Sequence, residues 1–231
     1  MSFFEKIFEL FSTQDYMKLV FKGLGYTFMI SFFAALLGLI LGALVALCFI
    51  SKSKSPLMRF LKGLSKTYIT IIRGTPMALQ LFIMVFGIFT IRGFPVEVTA
   101  ILAFGINSGA YVAENIRAGI LSVDIGQTEA GRALGLNSKT TMIKIVIPQA
   151  IKNVIPAIGN ELIALIKETS IVSMIGITDL TLASKIIGSG NNLASYVVPM
   201  TAVALFYLAI VYLLTFGIKK IEKRLRASDK R

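Results

Sequence analysis

Histidine is absent from the 231 residues, and cysteine occurs once. Without histidine the usual imidazole acid–base, nucleophile-activating and zinc chemistries are excluded, and only carboxylates are left to hold a metal. Cys48 stands alone inside an apolar run, so neither a disulfide framework nor a cysteine metal site is available. Acidic residues are scarce, 12 Asp+Glu against 24 Lys+Arg, for a formal charge of +12. No Gly-x-x-x-x-Gly-Lys-Ser/Thr loop occurs, so a nucleotide would have to be bound by another chain. The N-terminus lacks a basic region followed by a short apolar core and a small-residue cleavage site. No removable signal peptide is expected, and the mature chain is expected to begin near Met1. No internal repeat is found.

What is abundant is apolar surface. Hydrophobic residues make up 55% of the chain and the mean hydropathy is +0.78, too apolar for a domain that must present a polar surface to water. A helix needs about 20 apolar residues to cross a bilayer. Five runs of that length lie near Gly23–Ile50, Lys66–Thr90, Pro95–Ala118, Asn153–Ile177 and Ala194–Ile218. Ahead of them, Phe3, Phe4, Ile7, Phe8, Leu10 and Phe11 recur at helical spacing among Glu5, Lys6 and Glu9, the pattern of a helix lying in the membrane interface.

The charges collect beside the apolar runs, which is how membrane orientation is encoded and not how a nucleic-acid groove is lined; nucleic acid is excluded as a partner. Lys52, Lys54, Arg59, Lys62 and Lys66 follow the first run. Lys219, Lys220, Lys223, Arg224, Arg226, Lys230 and Arg231 close the chain, and Arg132, Lys139, Lys144 and Lys152 lie between the third and fourth runs. The loops around Arg92 and around Asp179 and Lys185 are nearly balanced. With an odd number of spans, all the basic segments fall on one side. The fold expected is an all-α membrane protein of five transmembrane helices, N-terminus outside and C-terminus cytoplasmic. Its parts are an interfacial segment, 1–18, a membrane domain, 19–218, and a basic tail, 219–231, with membrane lipid as a partner.

The segment from Glu129 to Pro148 carries the most specific pattern. Glu129, Ala130, Ala133 and Leu134 favour a short helix, Gly135 can end it in a left-handed cap, and Asn137 or Ser138 can start another turn. Pro148 is expected to break the chain before the fourth span. The result is a helix–turn–helix hook, 129–148, that another protein can dock. This segment resembles the coupling motif of ATP-binding-cassette (ABC) importer permeases: Glu-Ala-Ala, three residues, Gly, nine residues, Ile, one residue, Leu-Pro. Glu129, Ala130, Gly135, Ile145 and Pro148 match it, while Gly131 replaces the second alanine and Ile147 the leucine. Gly131 is expected to weaken the short helix by roughly 1 kcal/mol.

Arg73-Gly-Thr-Pro-Met77, and Asn107-Ser-Gly-Ala-Tyr111 continuing to Glu114-Asn-Ile-Arg117-Ala-Gly119, resemble the signatures of polar amino-acid permeases within that family. The resemblance implies a type I ABC importer permease of the bacterial cytoplasmic membrane, working by alternating access and doing no bond chemistry itself. Cytoplasmic ATPase subunits would bind ATP and Mg, and an extracellular or periplasmic binding protein would deliver a polar amino acid. A second permease copy or paralogue would complete a homodimer or heterodimer. No cofactor and no metal is expected in this chain, and no catalytic residue. Pro76 is expected to kink the second span, and Glu114 and Arg117 to pair along one helix face. In the first span Ser31, Ala35, Gly38, Gly42 and Ala46 form a small-residue stripe, for a contact within the chain or across a dimer.

The fourth span holds the chemistry expected of a pathway. Counted from Asn153, Glu161 lies roughly 12 Å deep, where a carboxylate costs a few kcal/mol unless it faces a cavity or a cationic partner. A substrate ammonium would serve; so would an internal cation, although Lys167 points to a different side of an ideal helix. Glu168 shares the face of Glu161, with Asn160, Thr169 and Ser173 nearby and Pro156 and Gly159 loosening the helix. Gln80, Asn107 and Tyr111 are further pathway candidates. The buried carboxylates also admit a secondary transporter driven by an ion gradient, which the missing repeat disfavours.

Overall fold

The computed structural model describes residues 3–51, 53–90, 93–189 and 196–227, apart from the side chains of Phe3, Phe4 and Lys6. Met1, Lys52, Arg92, Lys230, Arg231 and the expected start of the fifth span at Ala194 lie outside the described residues. Among those described, the regular structure is all helical: α1 (Phe3–Ser12), α2 (Gln14–Ile50), α3 (Pro56–Gly74), α4 (Met77–Ile83), α5 (Val96–Leu121), α6 (Ile125–Ala133), α7 (Ser138–Thr141), α8 (Ile147–Glu168), α9 (Leu180–Gly188) and α10 (Val197–Arg226). Among the described residues four segments are long and apolar enough to cross a membrane: Gln14–Ile50, Val96–Leu121, Ser138–Ile175 and Val197–Arg226. Pro56–Gly74 and Met77–Ile88, bent by 108° at the break between them, count as a fifth only if the pair is taken together as one span.

Two expectations about proline are corrected. The second span is not a kinked helix: α3 ends at Gly74, Thr75 is extended at φ −123° and ψ 145°, and Pro76 precedes α4 at ψ 136°. The proline ring disfavours helical geometry at the residue before it, which turns a kink into a break. Pro148, by contrast, breaks nothing. One π-helical turn, Met142–Val146, joins α7 to α8, and the Ile147 N–H reaches back to the Met142 carbonyl. The hydrogen-bond register slips by one residue where Pro148 has no N–H to offer. The helix of the fourth span therefore starts at Ser138, so a count from Asn153 does not set the depth of Glu161.

The chain forms two compact units. The first draws on Met1–Ala35, Pro76–Gly105 and Ile163–Leu214. One of its cores packs Ile30, Leu81, Ala100, Phe104, Leu165 and Val172; the other packs Leu10 and Val20 with Leu180, Ile187, Val198 and Ala202. Leu10 anchors α1 in this second core, while Phe8 on the other side of the helix is 75% exposed. Asp179 is fully buried and caps α9, accepting the N–H of Leu182 at 2.9 Å and of Thr181 at 3.0 Å, with the Tyr207 hydroxyl 3.4 Å away. A Cβ on Gly23 would stand 2.7 Å from the Asp179 carbonyl, so glycine is what lets α2 approach.

Burial raises the pKa of the Asp179 carboxyl, outweighing the two backbone donors and Tyr207 that pull it down. The folded chain then holds this proton more tightly than the unfolded chain. Its contribution favours the fold below the ordinary aspartate pKa of about 4 and declines as pH rises through the elevated value. Asp179→Asn is expected to flatten that decline, read as thermal unfolding in detergent across mildly acidic to neutral pH.

The second unit draws on Leu36–Thr75, Ile106–Leu162 and Thr215–Arg231. Here Gly38 and Gly42 of the small-residue stripe make a contact within the chain. A Cβ on Gly38 would meet Ser108 Cβ at 2.8 Å, and one on Gly42 would meet Val112 at 2.6 Å, so α2 lies against α5 at close range. Ile69, Ala110 and Ala113 form the core beside them, and the Tyr68 hydroxyl donates to the Ile106 carbonyl at 2.5 Å. Gly159 admits the Ile218 side chain of α10, whose Cδ1 would be 2.8 Å from an added Cβ, so this glycine allows close packing.

Candidate coupling hook and membrane site

The hook is built from caps. Asp124 starts α6, its carboxylate accepting the Gly126 N–H at 2.6 Å. At the other end Gly135 takes φ +80°, the Leu136 N–H bonds to the Gly131 carbonyl at 3.1 Å, and the Gly135 N–H bonds to that of Arg132 at 3.0 Å. This reciprocal pair closes a helix on a left-handed residue. Asn137 then starts α7 by accepting the Thr140 N–H at 2.8 Å. Gly131 is buried, and a Cβ there would stand 2.9 Å from both Ile145 Cδ1 and Thr141 Cγ2. The glycine that costs helix propensity thus lets the two arms of the hook close on each other.

Two polar contacts fasten the hook root to α8: Asn153 donates to Ser122 Oγ at 2.9 Å and Gln149 to Gln127 Oε1 at 3.2 Å. Gly119, at the end of α5, leaves room for Val154 of α8. The hook and its root are thus in packed contact with α5 and α8. Glu129, Ala130, Gly135 and Pro148 are exposed and Ile145 is half-buried. Beside them Leu134 is 81% and Ile125 74% exposed, an apolar surface on a polar hook that the site expectations omitted. Leu134 lies within the motif, but only the fold shows it pointing outward.

Arg73, from the first of the two stretches that resemble permease signatures, meets the second stretch within the second unit. Arg117 grips Glu114 with two hydrogen bonds, Nε to Oε2 at 2.8 Å and Nη2 to Oε1 at 2.6 Å, as the spacing predicts. Arg73 of the first signature joins them, its Nη1 3.7 Å from Glu114 Oε1 and its guanidinium 5.2 Å from the centroid of the Tyr111 ring. Sequence reasoning placed Arg73 in a signature without giving it a role, because its partners lie on another helix. Glu114→Ala leaves two arginines around a vacated anion. A loss of about 1–3 kcal/mol is expected, tempered by the partial exposure of the arginines, and a drop in the detergent melting temperature would measure it.

Tyr111 lies half-buried beneath Arg73, and Asn107 is 5% exposed. On α8, Asn160 and Glu168 are exposed and Glu161 is half-buried, while Gln80 on α4 is half-buried. Beyond Glu168 the expected pathway face does not continue. Thr169–Ile175 is a 3₁₀ segment, whose side chains advance by a different angle per residue than those of an α-helix. Thr169 is fully buried and donates to the Ile166 carbonyl at 2.6 Å, and Ser173 is 9% exposed. Among the described residues no group of His, Cys, Asp or Glu is placed to hold a metal ion.

Known proteins resemble the chain over most of its length. The chain is 39% identical over 212 residues to the arginine transport system permease protein ArtQ of Bacillus subtilis (strain 168), covering 91% of this chain and 94% of that one. It is 40% identical over 211 residues to the putative glutamine transport system permease protein GlnP of Rickettsia bellii (strain RML369-C), covering 90% and 94%. A crystal structure of an amino acid ABC transporter superposes with a TM-score of 0.85 at 36% identity, covering 97% of this chain and 99% of that one. Inward-facing MetNI methionine ABC transporter, at 21% identity and TM-score 0.74 over 92% and 99%, shares the fold. Residues 38–227 match the family model for the binding-protein-dependent transport system inner membrane component; the chain belongs to that family and is, by these relatives, a multi-pass amino-acid ABC importer permease.

Proposed function

We propose that this chain forms the membrane route of an ATP-driven importer of polar amino acids in the bacterial cytoplasmic membrane. The observation that carries the reading is the hook: a motif matching in register over Glu129–Pro148, capped at both helix ends, exposing Leu134, and fastened to α5 and α8. ATP and Mg belong to separate cytoplasmic ATPase subunits, whose closure moves the hook and switches the route between its two faces. A binding protein on the outer side supplies the substrate, and a second permease copy or paralogue completes the route. Asn160, Glu161 and Glu168 of α8 are the residues proposed to line it. The named substrates of relatives, arginine and glutamine, support polar amino acids as the substrate class.

The test is purification of the C-terminally tagged chain from native membranes, followed by uptake assays in vesicles. An ABC ATPase is expected to co-purify and to be lost on Glu129→Ala. Uptake is expected to stop when ATP is depleted at a constant ion gradient. Uptake that persists on the gradient alone would replace this reading with secondary transport.

A further inference from the structure

The C-terminal part of α2 and the facing residues of α3 leave a cleft between them. Leu41, Leu44, Val45 and Cys48 line it from α2, and Leu61, Leu64, Ser65 and Tyr68 from α3, around a volume of about 410 Å³. The cleft is open at its side, where Leu44 is 57% and Leu64 56% exposed. Two of its polar side chains are turned to the backbone: Cys48 Sγ donates to the Leu44 carbonyl at 3.6 Å and the Tyr68 hydroxyl to that of Ile106. In a membrane-spanning chain such a surface contacts hydrocarbon, from lipid or from another protein.

The charge beside the connection between α2 and α3 favours lipid. Lys62 bends to the Ser51 carbonyl at 2.5 Å and ties α3 to the loop, Lys54 is exposed, and Ser53 and Ser55 place hydroxyls 3.2 Å apart. From Tyr16 to Val96 the sequence contains no carboxylate at all. An apolar cleft between two helices whose connection is basic and hydroxyl-bearing is complementary to an anionic head on an acyl tail. We propose that this cleft holds one anionic phospholipid, with an acyl chain against Leu41, Leu44, Leu61 and Leu64 and its phosphate at Lys54 and Lys62. The site does not depend on the importer reading, only on the chain spanning a membrane.

The sequence has no tryptophan, which makes a clean optical test available. Leu64→Trp places a reporter at the cleft, and Leu208→Trp, on the 62% exposed position of α10, places one on the general lipid surface. The full chain carrying either reporter is reconstituted in vesicles doped with brominated phosphatidylglycerol or brominated phosphatidylcholine. Quenching at the Leu64→Trp reporter is expected to favour phosphatidylglycerol by at least about fivefold, the size of one basic residue's pull on an anionic lipid. The Leu208→Trp reporter is expected to show no preference. Adding Lys54→Gln is expected to cut the Leu64→Trp preference by about fivefold, and because Lys54 is exposed, the fold has little to lose. An equal preference at both reporters, an unchanged preference after Lys54→Gln, or no quenching at Leu64→Trp by either lipid overturns the proposal; the last would mean that protein covers the cleft.

Discussion

Gly42→Leu is expected to abolish accumulation of the folded chain in the membrane. A single added Cβ would stand 2.6 Å from the Cβ and Cγ1 of Val112 and 2.8 Å from the Gly109 carbonyl oxygen. The first two belong to a stiff β-branched side chain and the third to the backbone of α5, so nothing nearby can swing aside. Overpacking of this kind costs about 1–3 kcal/mol where a core can adjust, and more where it cannot. Against a total stability of roughly 5–15 kcal/mol, separation of α2 from α5 would be decisive. Gly63→Leu on α3, where an added Cβ meets nothing within 4 Å, is the matched control and is expected to express normally. The measurement is the yield of monodisperse protein in detergent; equal yields would show that α2 and α5 do not rely on this contact.

Gly135→Val should leave the membrane helices intact and uncouple transport. At φ +80° an L residue is strained, by about 1–2 kcal/mol for an ordinary side chain, and a β-branched one is less tolerant still. Nothing lies within 4 Å of an added Cβ, so the cost is purely conformational and falls on the turn between α6 and α7. The two hydrogen bonds that close α6 depend on that turn, and with them the direction in which Leu134 points. ATP-driven uptake is expected to fall tenfold or more on the scale of that strain, with membrane insertion and thermal stability of the remainder unchanged. Normal uptake would mean that the hook does not need its left-handed cap.

Local features could be read from the chain without its fold. Gly135, Asn137 and the pairing of Glu114 with Arg117 depend on neighbours within a few residues, and all three stand where the sequence places them. The apolar runs were legible for the same reason, since a span is defined by its own length and hydropathy. Proline was the exception among local signals. Pro76 and Pro148 present the same missing N–H, yet one divides a helix and the other is absorbed by a π turn. Extended geometry at Thr75 and a register slip at Ile147 are both low-cost solutions, and packing selects between them.

By itself, then, the sequence determined the helical membrane class, the hook and its caps, and the acidic residues carried by α8, because hydropathy, backbone propensity and short-range pairing are properties of contiguous chain. Only the tertiary structure decided that Gly38 and Gly42 are spent on α5 within the chain, that Gly131 admits Ile145, that Thr169 is buried, and that Arg73 lies over Tyr111 beside Glu114. The glycine and Arg73 contacts join residues from different helices or a helix and its returning arm. A side chain's burial and its distant partners follow from which surfaces pack together, and one helix's periodicity carries no information about the surface it will meet.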